Sequence, residues 1–256
     1  MIKSLYRKLL SEKQRIALHY ALYKTEAAFL KGSRYECCCC GKSSRRFLSH
    51  GNLELRKNIK CPHCLSLERT RILCMYIRNV VFKETSHPLR VLHFAPVKGL
   101  KDFLRNSPRV ADYRDADINP NVATYQVDIT QIPYEDNSID LIICSHILYC
   151  VPEDRKAMQE IHRVLRPGGR VLIVDTIEGE VTREIAHLPK KELEEVYGDE
   201  ATCRVYGRDI TRILSTYGLH AEIIDYVKQL TPDFIEKECL ANAFDAEIID
   251  CKKRPS

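Results

Sequence analysis

VDITQIPYEDNSIDLIICSHILYCVPEDRKAMQEIHRVLRPGGRVLIVDT, residues 127–176, decides the fold. Within it, Asp140 to Cys144 (DLIIC) is a short apolar run bounded by polar residues, the pattern of a strand buried on both faces. The run stops at Ser145 and His146. Pro152, Glu153 and Asp154 open a helix, with proline at its first position and acids in its first turn. Ala157, Met158, Ile161, Val164 and Leu165 recur at helical spacing and make one apolar face, with Arg163 and Arg166 in the last turn. Pro167, Gly168 and Gly169 end the helix, because proline cannot continue it and glycine can take a positive φ. Arg170 to Asp175 (RVLIVD) is a second buried strand. Strand, helix and strand form a βαβ unit, whose strands should run parallel with a right-handed crossover.

On either side of this unit the chain supplies the rest of a doubly wound sheet. Leu89 to Ala95 reads as the first strand, with Pro96 to Gly99 as its turn and a helix from Gly99. Ala111 to Asp117 is the second strand, leaving through Asn119-Pro120, and Tyr125 to Asp128 is the third. Residues 177–206 are a charged insertion with no clear strand. Asp209 to Tyr217 reads as a helix ended by Gly218. His220 to Tyr226 and Ala246 to Cys251 read as a last, antiparallel pair at one edge.

Length and composition set the limits. A chain of 256 residues, 45% hydrophobic, suggests one large domain with an appendage. It has no apolar run long enough for a transmembrane helix, and the N-terminal stretch lacks the apolar centre of a secretory signal. Twelve cysteines without such a signal point to metal or free thiols in a reducing compartment, hence the cytoplasm. Residues 1–89 carry 18 basic and 6 acidic side chains, a balance of +12, while the remainder is at −7. The basic front could attract an acidic partner or simply be a solvated surface. Residues 1–30 read as a helix, with Ile2, Leu5, Leu9, Ile16, Tyr20 and Phe29 on its apolar side and Lys3, Arg7, Lys8, Lys13 and Arg15 opposite. Such a helix packs on its own domain, lies on an anionic membrane, or contacts nucleic acid. The organisation expected is a basic helical segment over 1–34, a cysteine module with connecting helix over 35–85, and the α/β domain over 86–256.

The cysteine module is YECCCCGKSSRRFLSHGNLELRKNIKCPHC, residues 35–64. Cys37 and Cys40, then Cys61 and Cys64, form two C-x2-C pairs with the spacing of a tetrahedral four-thiolate zinc site. Cys38 and Cys39 are rival ligands. Cys37 and Cys40 are preferred because they combine the two-residue spacing with the following Gly41, which can turn backbone N–H groups toward sulfur. His50 and His63 are weaker candidates, and free buried thiols are the plain alternative. Four ligands with no open position make a structural site, not a catalytic one.

Two sets of residues carry a resemblance. The strand, helix and L-R-P-G-G turn within residues 127–176 resemble the core of class I S-adenosylmethionine (SAM) dependent methyltransferases, type 11-like. Cys61 to Arg71, CPHCLSLERTR, resembles the C-P-x-C-G-S-L-E-R-H-R segment of bacterial members that begin with a cysteine-pair module. It departs at Leu65, where glycine is usual, and at Thr70, where histidine is usual. Leu67, Ile72, Leu73, Tyr76 and Ile77 then continue as a helix into the core. The resemblance implies a mostly parallel seven-stranded, Rossmann-like sheet with SAM across the carboxyl ends of its strands. His93, Phe94, Ala95, Pro96 and Gly99 stand where the glycine-rich cofactor loop usually runs, in a variant with one glycine and no acid. Asp117 would accept the ribose hydroxyls, with Asp115 as rival; Asp128 would accept the adenine amino group, with Ile129 beside the ring. Ser145 would line the cofactor.

SAM is already an activated electrophile, so the enzyme's task is to place a nucleophile in line, with a base only if a proton must leave. His146 is the candidate base by its ordinary pKa, with Tyr149 and Cys150 beside it; core or cofactor-shelf packing is the alternative for His146. Arg204 and Tyr206, in a segment resembling R-x-Y-G of the same subgroup, are candidates for a hydroxyl-rich or anionic acceptor, or else pack the insertion onto the sheet. The expected function is methyl transfer from SAM to a small-molecule or carbohydrate-like acceptor. The alternatives are an RNA methyltransferase holding nucleic acid with its zinc module and basic helix, or a non-catalytic binding module that keeps the fold.

Overall fold

The computed structural model describes residues 10–254 except residues 52, 242, 244 and 245. Ile2, Leu5, Leu9, Lys3, Arg7 and Lys8, assigned above to an amphipathic helix, lie outside the described residues. Helix α1 (Glu12–Phe29) starts at a capping box, in which the Ser11 hydroxyl accepts from the Gln14 backbone and the Gln14 side chain accepts from the Ser11 backbone. Ile16 and Tyr20 are half-buried, but Phe29 is exposed, so it is not part of the packing side expected for it. Two antiparallel hairpins follow: β1 (Tyr35–Glu36) with β2 (Ser43–Ser44), and β3 (Leu48–His50) with β4 (Arg56–Lys60). Helix α2 (Glu68–Tyr76), prolonged through a π-helical turn over Ile77–Val81, leads into β5 (Leu89–Phe94). Then come α3 (Lys98–Arg105), β6 (Val110–Asp117), β7 (Tyr125–Gln126), β8 (Ile139–Ser145), α4 (Asp154–Val164) and β9 (Leu165–Val174).

The insertion is more ordered than its charge suggests. It holds β10 (Arg183–Glu184), α5 (Lys190–Tyr197) and β11 (Arg204–Val205), and β10 pairs antiparallel with β11. Helix α6 (Ile210–Ser215), β12 (Leu219–Ile224), α7 (Pro232–Lys237) and β13 (Ile248–Lys253) complete the chain. The central sheet runs β12-β13-β9-β8-β5-β6-β7. Its strands are parallel except β13, which is antiparallel to both neighbours. The last two strands are therefore an antiparallel pair, but only β12 lies at the edge. The strand order reverses between β5 and β8, and this places a crevice at their carboxyl ends.

Both faces of the sheet are buried, as the uninterrupted apolar runs require. Leu92, Phe94, Ile142 and Cys144 pack on the α4 stripe Ala157, Met158, Ile161 and Val164. Val91, Leu141, Ile143 and Leu172 pack on the other side with Ile72, Leu73, Leu100 and Leu104 from α2 and α3. Each such side chain contributes about 1.5–3 kcal/mol on burial. Helix α4 ends at Val164, four residues before Gly168, and Leu165 and Arg166 already belong to β9. Two forces stop it early. A residue before proline is pushed out of the helical region, which rules out Arg166. Arg166 is also drawn to the buried Asp140, which binds the Arg90 side chain at 2.9 Å and the Arg90 backbone N–H at 2.8 Å as well. Lys253 Nζ then caps α4, donating to the carbonyls of His162 and Leu165 at 2.8 Å each. Among the described residues no helix is long and apolar enough to cross a membrane.

Candidate functional site

The four paired cysteines meet at one point. The Sγ atoms of Cys37, Cys40, Cys61 and Cys64 lie within 4.8 Å of one another, with Cys37 to Cys64 at 3.6 Å and Cys40 to Cys61 at 3.9 Å. Four sulfurs at ~2.3 Å around one ion in tetrahedral arrangement stand ~3.8 Å apart, so the donor set fits zinc. Two matching loops bring them there. Gly41 N–H donates to Cys37 O at 2.7 Å, and Leu65 N–H donates to Cys61 O at 2.9 Å. Gly41 has φ +66° and Leu65 has φ +63°, so the leucine holds the left-handed position that glycine holds in the first loop. For an L-residue with a side chain that conformation costs roughly 1–2 kcal/mol. His50 and His63 are outside the group, and His63 Nε2 bonds to the Ser44 hydroxyl at 3.0 Å.

Gly99 belongs to this cluster. A Cβ there would sit 3.0 Å from Cys64 Sγ and 3.1 Å from Ser66 Cβ. This approach by itself requires glycine, because α3 starts against the second cysteine loop. The His93 side chain is set in the core. Its ring is wholly buried on the α2/α3 side, where Nδ1 shares a hydrogen bond with the Tyr113 hydroxyl at 2.9 Å, and only its backbone is at the crevice edge. Phe94 and Ile129 are core residues, their side chains packed beneath the crevice.

The crevice itself lies at the ends of β5, β6 and β8. Ala95 has φ +45° and His146 φ +55°, so both exits turn sharply away from the sheet. Asp117 is half-buried at the end of β6, and Asp128 is exposed beyond β7. Each accepts from a backbone N–H two residues on, Asn119 and Thr130 respectively, at 2.8 Å. These turns fix each carboxylate through Oδ1. Ser145 is half-buried at the end of β8, and Pro96 is half-buried in the β5–α3 loop.

The candidate catalytic pair has different chemistry from that expected. Burial, aided by the positive charge of Arg69, pushes the His146 pKa down to about 3. Such an imidazole is neutral at pH 7 and a weak base. Tyr149 donates its hydroxyl to Asp199 at 3.1 Å, and burial with the Asp199 charge pushes its pKa up. The two rings stand edge to face, with centroids 6.1 Å apart.

Arg204 and Tyr206 are not on a binding surface. Arg204 is 3% exposed and donates to the carbonyls of Leu148, Val151 and Pro152 at 3.0, 2.6 and 3.0 Å and to Glu184 at 3.0 Å. The Tyr206 hydroxyl donates to Asp154 at 2.8 Å from a fully buried site. Both lock the insertion onto the loop between β8 and α4, which is the packing alternative given for them above. Arg204→Ala should cost about 3 kcal/mol in denaturant unfolding, because three carbonyls lose their donor and the buried Asp154 carboxylate loses the guanidinium 3.5 Å from it. A stability within 0.5 kcal/mol of wild type, roughly the spread of neutral surface changes, would contradict this.

Sequence reasoning missed the cover of the crevice. The Glu12 carboxylate on α1 accepts from Asn119 Nδ2 at 3.0 Å and from Asn121 Nδ2 at 2.9 Å, tying the N-terminal helix to the exit of β6. Beside it lies a cavity of about 850 Å³, walled by Arg15, Tyr20 and Tyr23 of α1, Lys60 of the cysteine module, Pro96 of the β5–α3 loop and Lys98 at the start of α3. Lys60 Nζ sits 4.5 Å from the centre of the Tyr23 ring. The Glu12 contacts join residues more than a hundred positions apart, and no local pattern announces them.

Residues 100–173 match the methyltransferase domain family. This methyltransferase domain match spans most of α3 through β9 and takes in residues 127–173 of the stretch read first from the sequence. Over 62 residues the chain is 42% identical to a ubiquinone/menaquinone biosynthesis C-methyltransferase of Idiomarina loihiensis, covering 24% of this chain and 25% of that protein. It is 27% identical over 151 residues to a demethylmenaquinone methyltransferase of Staphylococcus haemolyticus, covering 58% of this chain and 56% of that protein. The chain thus spans from a quarter to just over half the length of these curated relatives. The crystal structure of the YcgJ protein from Bacillus subtilis is similar over 71% of this chain and all of that one, at 16% identity and a TM-score of 0.49. The order of the seven strands, with one antiparallel strand beside the fifth, is that of the Rossmann-like methyltransferase fold.

Proposed function

We propose that this chain transfers a methyl group from SAM to a small, anionic or hydroxyl-rich acceptor. The observation that carries the reading is the carboxylate pair at the carboxyl ends of β6 and β7. Asp117 ends β6 and Asp128 follows β7, each is fixed through one oxygen, and the second oxygen of each has no hydrogen bond to the described residues. Asp117 suits the ribose hydroxyls and Asp128 the adenine amino group, since a carboxylate is the matching acceptor for both. The backbone at Ala95 and Pro96, with Ser145, would flank the amino-acid part of the molecule. When bound, SAM supplies a methyl group on a sulfonium, ready for displacement. With His146 a weak base and Tyr149 engaged to Asp199, the residues at hand would act by positioning and by excluding water.

The acceptor would enter through the cavity between α1 and the β5–α3 loop. Its tyrosines suit a flat or hydroxylated molecule, and Arg15, Lys60 and Lys98 suit negative charge. The relatives named for quinone biosynthesis support a small ring-bearing acceptor. The four-cysteine cluster would hold a structural zinc that fixes the β5–α3 loop through Gly99. Calorimetry with SAM or S-adenosylhomocysteine tests the reading. Asp117→Ala should weaken binding by about 1–3 kcal/mol through loss of a charged acceptor. Undiminished affinity in that variant, with its fold intact, would remove Asp117 from the site.

A further inference from the structure

The run Cys37 to Cys40 does not serve one site. Cys37 and Cys40 turn to the tetrad, while Cys38 and Cys39 turn to helix α2, where Cys38 Sγ lies 3.5 Å from Arg71 O and Cys39 Sγ 3.7 Å from Thr70 O. Cys74 is three and four residues further along that helix, on the same face as those carbonyls. The Sγ atoms of Cys38, Cys39 and Cys74 lie within 4.8 Å of one another. Cys39 and Cys74 are buried and Cys38 is half-buried, and all three are free thiols.

We propose that Cys38, Cys39 and Cys74 form a second metal site, for a soft monovalent cation, Cu(I), side by side with the four-thiolate zinc site. Three features select this ion. The donor set is sulfur only, which favours soft ions over magnesium, calcium or manganese. It offers three ligands with no fourth His, Cys, Asp or Glu donor in the group among the described residues, whereas structural zinc takes four. A monovalent ion accepts three-coordination, and binding releases the thiol protons to solvent. Positive charge stands next to the site to balance the excess of thiolate. Arg78 Nη2 donates to Cys38 O at 2.8 Å, and Arg71, wholly buried, carries an Nη2 with no hydrogen-bond partner among the described residues. The current bonds of the three thiols are weak. Each is a long S–H contact to a main-chain carbonyl, at 3.5, 3.7 and 3.9 Å, and a metal can replace them at little cost.

The test uses the full chain, reduced and zinc-loaded, under anaerobic conditions. Cu(I) is supplied against a chromophoric Cu(I) chelator, and copper and zinc per chain are measured together. Wild type should take up about one Cu(I) with its zinc retained, and show thiolate-to-copper absorption in the ultraviolet. Second-sphere changes at metal sites cost about 10–100-fold, so Cys74→Ala, which removes a ligand, should weaken Cu(I) by more than that while zinc stays bound. The Cys38→Ala/Cys39→Ala double variant should do the same without touching the helix interior. Zinc content and melting temperature show that each variant is folded, and the double variant decides if Cys74→Ala is not. Copper uptake unchanged in the folded variants, copper bound only as zinc is lost, or no uptake by wild type would each overturn the site.

Discussion

Cys61→Ser is expected to empty the four-cysteine site of zinc and to lower the melting temperature by about 10 °C or more. Cys61 is wholly buried, and its sulfur is 3.9 Å from that of Cys40. Structural zinc contributes about 10–16 kcal/mol of apparent binding energy in isolated fingers, where nothing else holds the loops. Here the cysteine loops also rest on the apolar cluster shared with Leu100, Leu141 and Leu172, so part of the fold survives without metal. A loss of several kcal/mol remains, at roughly 2–4 °C each for a chain of this size. Elemental analysis and calorimetry of the variant give both numbers, and full zinc with an unchanged melting temperature would reject the tetrad. Gly99→Ala separates the metal from the cofactor. Its new methyl would meet Cys64 Sγ at 3.0 Å, so it should loosen zinc and lower stability, with SAM affinity changed less. SAM binding lost with zinc and stability intact would return Gly99 to the cofactor loop.

The fold was legible because its carriers are local. A strand buried on both faces needs an unbroken apolar run, and residues 140–144 and 170–174 provide two. The paired cysteines were legible for the same reason, since two short loops each carry their own spacing. What escaped depends on partners far along the chain. Arg204 reads as a surface fork until the carbonyls of Leu148, Val151 and Pro152 are seen around it. Gly99 reads as a cofactor glycine until Cys64 is seen against it. The end of α4 was misplaced because Arg166 is taken by Asp140, twenty-six positions earlier. For Arg204 and Arg166 buried polar groups recruit a distant residue, for Gly99 a distant loop leaves no room for a side chain, and periodicity carries no trace of either demand.

From pH 6.5 downward, acid should remove from this fold a stabilising contribution that His93 makes by staying neutral. Burial holds its pKa at about 3, with Asp115 opposing and Lys101 adding to the shift. The imidazole is wholly buried, and its Nε2 has no hydrogen-bond partner among the described residues, so nothing stabilises a second proton. In the unfolded chain the same group titrates near the ordinary value of ~6.5. Between the two values the unfolded state binds more protons, so stability rises with pH. The contribution is fully present above about pH 6.5 and is lost progressively as pH falls toward 3. At ~1.4 kcal/mol per pH unit, the step from pH 6.5 to 5 should cost roughly 2 kcal/mol from this residue alone. Zinc release acts in the same direction, as does His146, held at about 3 by burial, whereas Glu238, pushed up to about 9 by burial, acts in the opposite one. Asp140 adds its share only lower, because burial raises its pKa but the Arg90 side chain and backbone and His87 more than reverse this, holding it at about 2. The comparison is therefore of slopes between wild type and His93→Asn, which cannot take the proton and keeps a polar group near Tyr113. Denaturant unfolding at pH 7.5, 6.5 and 5 should show a shallower loss in the variant, whatever its absolute stability. Parallel curves would mean that His93 is protonated in the folded chain at pH 5, and that water or a rearranged neighbour reaches its buried nitrogen.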